Sequence, residues 1–358
     1  MSTDVHERIA RPHDPGAAEV SSTRGGPEPG RAGPVFIAGP DRSGTTLIYA
    51  LLASHPNISM VRRTNMWRYF HGRYGDLSDP ANFDRCLDDM LRYKRMRHLL
   101  PDEAQIRAEF LQGERTYGRL FALFHEHNAA RNSKSRWGDK SLHTEHYIDR
   151  LFEEFPDARV IHITRDPRDR YASVRKRYGR NLSRVGAATG RWLLSTRAGR
   201  RNLNRYPDRY LMIRYEDLAR EPERMMREVC AFIGEDFVPS LLLMDAAPDH
   251  RDSGGNSSFG DVEPGKISTR AIGRFRSVLS AYEIAFIQRN AAREMQALGY
   301  ESAKIDLPAA KWLRFYAWDL PVNLARMHGW IVLRRINLHR GELLPAFRLR
   351  DVTQPHEG

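Results

Sequence analysis

Cysteine is almost absent: Cys86 and Cys230 are the only two in 358 residues. They lie far apart and outside any metal-type spacing, which excludes a disulfide framework and leaves two reduced, buried thiols, as suits a cytoplasmic protein. No apolar run approaches the roughly 20 residues that cross a bilayer. Residues 1–32 have no apolar core of the signal-peptide kind. Helix-turn-helix, zinc-finger and RNP-type patterns are also missing, so the arginines scattered along the chain are not focused on nucleic acid. The histidines of His125-Glu-His127 and His143-Thr-Glu-His146 do not make His-Glu-x-x-His, and no metal is expected.

Positive charge is what the chain has in excess. Fifty-seven Lys and Arg stand against 45 Asp and Glu, a formal net charge of +12. Nucleic acid, an anionic membrane surface or a polyanionic small ligand would each suit such a balance, and charge alone does not choose among them. Residues 1–33 are rich in Gly, Pro, Ser and charge and read as a disordered leader. A core domain follows over 34–302, then a basic, aromatic C-terminal extension over 303–358. Oligomeric state is left open.

Pro34-Val35-Phe36-Ile37-Ala38-Gly39 reads as a short buried strand ending in a glycine-bounded turn, and Leu47, Ile48, Leu51 and Leu52 recur at helical spacing from Thr45 to Ala53. A mainly helical stretch spans 83–131, and a helix is expected over 144–155. Residues 158–164 and 210–215 read as two more strands, with a helix over 222–233. Ser280-Ala-Tyr-Glu283 matches a capping box whose helix stops near Gly299. Strands alternating with helices predict a parallel α/β sheet with helices on both faces.

Strand, glycine-bounded turn and helix start are the geometry that surrounds an anion with backbone N–H groups. Gly39-Pro40-Asp41-Arg42-Ser43-Gly44-Thr45-Thr46 has the outline of a Walker A loop, but Thr45 stands where a triphosphate loop has Lys, and the basic side chain comes earlier, at Arg42. A phosphate-like group without an obligatory metal fits better. A second element, Arg159 to Ser173, puts Arg165 just past a strand's carboxyl end, where ligands of open α/β sheets bind. Ser173 lies eight residues on, with Arg177 on the same helix face, and together they could hold a second phosphate.

Pro-x-Arg-Ser-Gly-Thr-Thr resembles the 5′-phosphosulfate loop of sulfotransferases that use 3′-phosphoadenosine 5′-phosphosulfate, with Asp41 inserted after Pro40 as a departure. Arg165 with Ser173 resembles the 3′-phosphate motif of the same family. Gly138-Asp139-Lys140 resembles a segment of its bacterial and Golgi-type members whose lysine approaches the leaving-group oxygen. Tyr215-Glu216-Asp217-Leu218 resembles a segment whose tyrosine lies near the nucleotide. Gly265-Lys266-Ile267-Ser268 through Gly273-Arg274-Phe275 resembles the late basic loop over the cofactor. The resemblance covers about 34–300 and implies a P-loop-NTPase-like three-layer sandwich with a central parallel sheet. It also implies a nucleotide site of Arg42, Ser43, Gly44, Thr45, Thr46, Arg165, Ser173, Arg177, Tyr215, Lys266, Ser268 and Arg274.

In-line sulfuryl transfer builds negative charge on the leaving phosphate, which Arg42, the loop N–H groups and Lys140 would stabilise. The base is harder to place, because Arg62 and Arg63 stand where related chains carry an acid. His143 is the first substitute and Asp139 the second, with His71 and Glu145 as remoter ones. The acceptor is expected to be a small molecule, carbohydrate or lipid. A nucleotide binder without activity and a P-loop kinase stay open as alternatives. In the extension, Trp312, Phe315, Tyr316 and Trp318 either cover the core, line the acceptor site or, with nearby arginines, form a peripheral membrane contact. Pro308, Pro321, Gly329 and Pro345 are expected to interrupt any long helix there.

Overall fold

A computed structural model describes residues 33–182, 184–251, 263 and 265–339, so the leader read over 1–33 lies outside it apart from Gly33. Five parallel strands form one sheet in the order β2-β3-β1-β4-β5. They are β1 (Val35–Ala38), β2 (Ile58–Arg62), β3 (Arg136–Lys140), β4 (Arg159–Thr164) and β5 (Tyr210–Arg214). The central strand pairs Val35 with Gly138 on one side and with Arg159 on the other. Alternation along β1 separates the two cores: Val35 and Ile37 face one layer of helices, Phe36 and Ala38 the other. The arrangement is a three-layer P-loop-like sandwich.

Three strands were expected where the described residues form five. The two that were missed, β2 and β3, fill one side of the sheet. β3 reads Arg-Trp-Gly-Asp-Lys, too charged for a strand by pattern, yet all five residues are buried. Its polar groups are satisfied one at a time. Arg136 donates to the Gly33 and Ile233 carbonyls and pairs with Glu235 at 3.1 Å, and Asp139 accepts from Thr64 at 2.8 Å. Gly138 carries no side chain because a Cβ there would stand 2.4 Å from Met60 Sδ and 2.6 Å from the Val35 carbonyl.

The helices that matter for the site are α1 (Thr45–Ala53), α2 (Tyr117–Arg131), α3 (Pro167–Leu182, broken at Gly179), α4 (Val185–Arg205), α5 (Tyr215–Arg220), α6 (Pro222–Ile233), α7 (Ala281–Ala297) and α8 (Leu320–His339). The capping box of α7 is present, with Ser280 and Glu283 bonding reciprocally. The expectation over 144–155 becomes a 3₁₀ turn, Thr144–His146, and a helix, Ile148–Glu154.

The extension departs most from expectation. Pro321 and Gly329 do not interrupt a helix: both lie inside the 20-residue α8. The reason is local. A π turn, Phe315–Asp319, precedes Pro321 and widens the backbone where the proline has no N–H to give. Pro345 lies outside the described residues. α8 packs along α4 with little spacing, since a Cβ on Gly186 would stand 2.1 Å from the Asn323 carbonyl and one on Gly190 3.1 Å from Met327. Phe315 and Met327 join the main core, while Leu313, Trp318, Val332, Leu333 and Ile336 are exposed. Among the described residues no helix is long and apolar enough to cross a membrane.

Candidate active site

The carboxyl ends of β1, β3 and β4 open onto one edge of the sheet, and the loops that follow converge there. After β1, Gly39 turns with φ +125°, and its N–H donates to Glu145 Oε2 at 3.3 Å. Glu145 is fully buried, and its other oxygen accepts from Ser195 at 2.6 Å. Burial works against its ionisation, but His146, His162, His143 and the Ser195 hydroxyl outweigh that and hold its pKa low. A carboxylate thus fixes the first N–H of the loop from below.

Gly44 ends the loop at φ +95°, and its carbonyl accepts from Leu47 and Ile48. No side chain caps α1, and its first turn carries no acid, so the leading N–H groups face the loop as an anion site. The Ser43 hydroxyl is buried in the same place, with no partner among the described residues. Gly44 is also needed for space: a Cβ would stand 2.5 Å from Tyr215 Cδ2. The Tyr215 ring in turn carries the Arg165 guanidinium 4.5 Å from its centroid.

Arg165 follows β4 and donates to the Arg42 and Ala271 carbonyls at 3.3 and 2.6 Å, and its buried Nε has no partner among the described residues. Arg42, in a left-handed conformation at φ 66°, donates from Nε to Ser173 Oγ at 2.9 Å. Two anion motifs far apart in the chain are therefore in direct contact. Burial lowers the pKa of Arg42, and the neighbouring charges of Arg165 and Arg177 act in the same direction. Two guanidinium groups so placed, those of Arg42 and Arg165, suit an anion between them.

The inserted Asp41 has a clear task. Its Oδ1 receives Arg170 Nη2 at 2.5 Å and Arg191 Nη1 at 3.3 Å, tying the loop to α3 and α4. Glu216 ties the turn after β4 in a similar way, accepting from the Asp166 N–H at 2.9 Å and from the Tyr300 hydroxyl at 3.0 Å. The late loop docks on Asp169, whose two oxygens accept from the Gly273 and Phe275 N–H groups. Its basic side chains stay outside. Arg274 is exposed, Ser268 accepts from the Arg270 N–H, and the largely exposed Lys266 pairs with Glu263.

Lys140, at the end of β3, is 5% exposed. Burial first, then Arg63 and Arg62, push its pKa down to about 8. Asp139 points to the opposite face of the strand and is pushed up to about 6 by burial.

Residues 34–239 match the model of the Sulfotransferase family. The chain belongs to that family. It is 27% identical over 170 residues to carbohydrate sulfotransferase 5 of Mus musculus, an alignment covering 42% of this chain and 43% of the relative, so it spans under half of that protein. It is similar in fold to the sulfotransferase domain of the Synechococcus PCC 7002 olefin synthase, with TM-score 0.50 and 22% identity over 78% of this chain and 98% of that one. A mouse sulfotransferase, SULT7A1, solved with PAP, aligns at TM-score 0.41 and 13% identity over 81% of this chain and 90% of that one.

For a sulfotransferase the notable omission from the sequence reading is His250. Burial, then the charges of Arg62 and Lys140, bring its imidazole down to about 4. No motif spacing signals it, because a separate short helix, Pro248–Arg251, delivers it. His143 belongs to a different neighbourhood, with Glu145, His146, Arg334 and Arg68, and is brought down to about 3, chiefly by burial. Ligand atoms of His143, Glu145 and His146 lie within 4.8 Å of one another. A cation there would compete with the bonds that Glu145 already accepts and would be repelled by Arg334.

Proposed function

We propose that this chain transfers a sulfuryl group from 3′-phosphoadenosine 5′-phosphosulfate to a hydroxyl of a carbohydrate, glycolipid or small natural product. The observation that carries the reading is the Arg42–Ser173 contact at 2.9 Å beneath Arg165. It makes one site with two anion positions, as a nucleotide with a 3′-phosphate and a 5′-phosphosulfate requires. Thr45 in the Walker lysine position weighs against a triphosphate. The name of the mouse relative supports a carbohydrate among the acceptors.

In the transfer, the bond from sulfur to the bridging phosphate oxygen breaks as the bond to the acceptor oxygen forms. Negative charge grows on the leaving phosphate, where Lys140, Arg42 and the N–H groups of α1 stabilise it. The acceptor proton needs a base, and two imidazoles that burial keeps neutral are the candidates: His250, which feels the charge of Lys140, and His143, three residues after Lys140 in the chain. Comparing His250→Ala with His143→Ala separates the two, since of this pair the variant that lacks the base should lose turnover with nucleotide affinity unchanged.

The decisive experiment pairs a thermal-shift titration with a transfer assay. PAP, the desulfated donor, is expected to raise the melting temperature without magnesium, and labelled sulfonate to pass to a carbohydrate or metabolite pool. Stabilisation by ATP–Mg²⁺ and not by PAP would refute the reading. PAP binding with no labelled product from any pool would favour a non-catalytic binder.

A further inference from the structure

Residues 309–336, which run from a short helix (Ala309–Arg314) through the π turn into α8, carry two apolar sides where a surface helix ordinarily carries one. Inward, Phe315 and Met327 are buried, and Leu320, Leu324 and Ile331 pack against the main core. Outward, Leu313, Tyr316, Trp318, Val332, Leu333 and Ile336 are 41–72% exposed. The described residues expose ten large apolar side chains in all, and these are six of them. Exposure is therefore concentrated on one segment, whereas apolar residues scattered singly over a surface need no explanation.

Helical spacing keeps the outward side continuous. Val322, Ala325, Gly329, Val332 and Ile336 follow one another by three or four residues and share one side of α8. Ala325 and Gly329 make its middle shallow, and a Cβ on Gly329 would meet nothing within 4 Å, so no part of the fold covers it. Arg326 and Arg335, both exposed, fall on the two flanks of this side, and the exposed Lys311 and Arg314 stand at its start. Asp319 is the one acid between 309 and 336, and Arg314 stands 3.7 Å from it. Asp149, which borders Val332 and Arg335 across a cavity, is paired with Arg205 at 3.1 Å. The rim is thus basic around an apolar centre.

A second copy of the chain would bring the same cations against these, and like charges oppose that pairing. A bilayer with anionic headgroups supplies the opposite charge at the rim and an apolar phase at the centre. We propose that the outward side of residues 309–336 docks on such a surface. The helix lies in the plane of the membrane, Trp318 and Leu333 enter the boundary between headgroups and acyl chains, and the arginines meet lipid phosphates. The same helix also touches the site: Trp330 lies 5.3 Å from the Arg191 guanidinium, which reaches Asp41 of the anion loop at 3.3 Å. Docking therefore holds that loop within about two helix diameters, roughly 20 Å, of the headgroups. The inference stands independently of the transfer reading above.

Its test is sedimentation of the full chain with two kinds of vesicle, phosphatidylcholine alone and an equal mixture with phosphatidylglycerol. Binding to the anionic vesicles is expected to be about tenfold tighter or more, and to weaken as salt rises from about 0.1 to about 0.5 M. A net positive charge would give that much by itself, so the apolar centre is read separately. Trp318→Ser combined with Leu333→Ser should lower the affinity for anionic vesicles about tenfold. Leu111→Ser, at an exposed leucine on the separate helix Glu103–Gln112, should leave it unchanged. All three side chains are exposed, so melting temperatures should stay within about 2 °C of wild type. Light scattering without lipid is expected to give the same mass for the wild-type chain and the double variant. Equal binding to both vesicles, no loss in the double variant, or the same loss in Leu111→Ser would each overturn the proposal. A lipid-free dimer that the double variant takes apart would overturn it too, and would give the surface to a second copy of the chain.

Discussion

Asp41→Asn isolates the one departure of the anion loop from the pattern it resembles. Arg170 is 1% exposed, so its charge depends on what surrounds it. It keeps two carbonyl bonds in the variant, to Asp41 at 2.9 Å and Ala188 at 3.2 Å, and the new amide oxygen still accepts from Nη2. What disappears is the opposing charge. Breaking a buried pair costs about 3–5 kcal/mol, and the bonds that remain put this case near the lower figure. Arg191 adds at most about 1 kcal/mol, because its side chain is partly exposed. At about 2–4 °C per kcal/mol for a domain of this size, the melting temperature should fall by roughly 6–12 °C. The pH dependence has a definite sign. Burial raises the Asp41 pKa, but Arg170 and Arg191 win and hold it far below the unfolded value. The stability it confers is therefore complete above about pH 4 and is lost as pH falls further, so wild type and variant should converge in acid. Arg170→Met in the same chain removes the stranded cation, and a double-mutant cycle should give a coupling near 3 kcal/mol. A loss under about 2 °C, or an additive cycle, would refute the account.

Lys140 loses its proton at about 8 in the empty protein, so kcat/KM for the donor should fall as pH rises through that value, and Lys140→Arg should remove the break. In the kcat profile the break should lie higher, since bound phosphate favours the charged lysine. Arg165→Ala should raise the Kd for PAP about 10–100-fold through lost charge-assisted bonds. Lys140→Ala should instead lower kcat about 10²–10³-fold with Kd nearly unchanged; equal loss of binding in both would contradict the two roles. Gly44→Ala forces a φ of +95° on alanine and a contact of 2.5 Å with Tyr215, and should cost about 2 kcal/mol in a denaturant titration. Adding Tyr215→Ala should return only the steric part.

The donor half of the site was legible because its parts are local. β1, the Gly39–Thr46 loop and α1 are contiguous, and Arg165 with Ser173 sits on one strand–helix junction, so residue type and periodicity suffice. The rest was hidden for physical reasons. β3 is a strand of charged residues whose burial depends on partners such as Glu235 and Thr64, which lie far off in sequence. Asp41 looked like an insertion until α3 and α4 supplied two arginines. His250 comes from a short helix with no motif, Pro248–Arg251. Pro321 misled because a proline forbids an ordinary helix interior but not one preceded by a π turn.

The strand order carries a further consequence, for how the chain is made. The central β1 pairs with β3 and β4, which follow it by roughly a hundred residues or more, and β2 also waits for β3. At about 5–20 residues per second, a nascent chain holds Val35–Ala38 unpaired for several seconds after it leaves the ribosome. During that interval the most apolar strand of the sheet has no neighbour and must be shielded by helix contacts or by a chaperone. The loop that later cradles an anion therefore waits for strands made long after it.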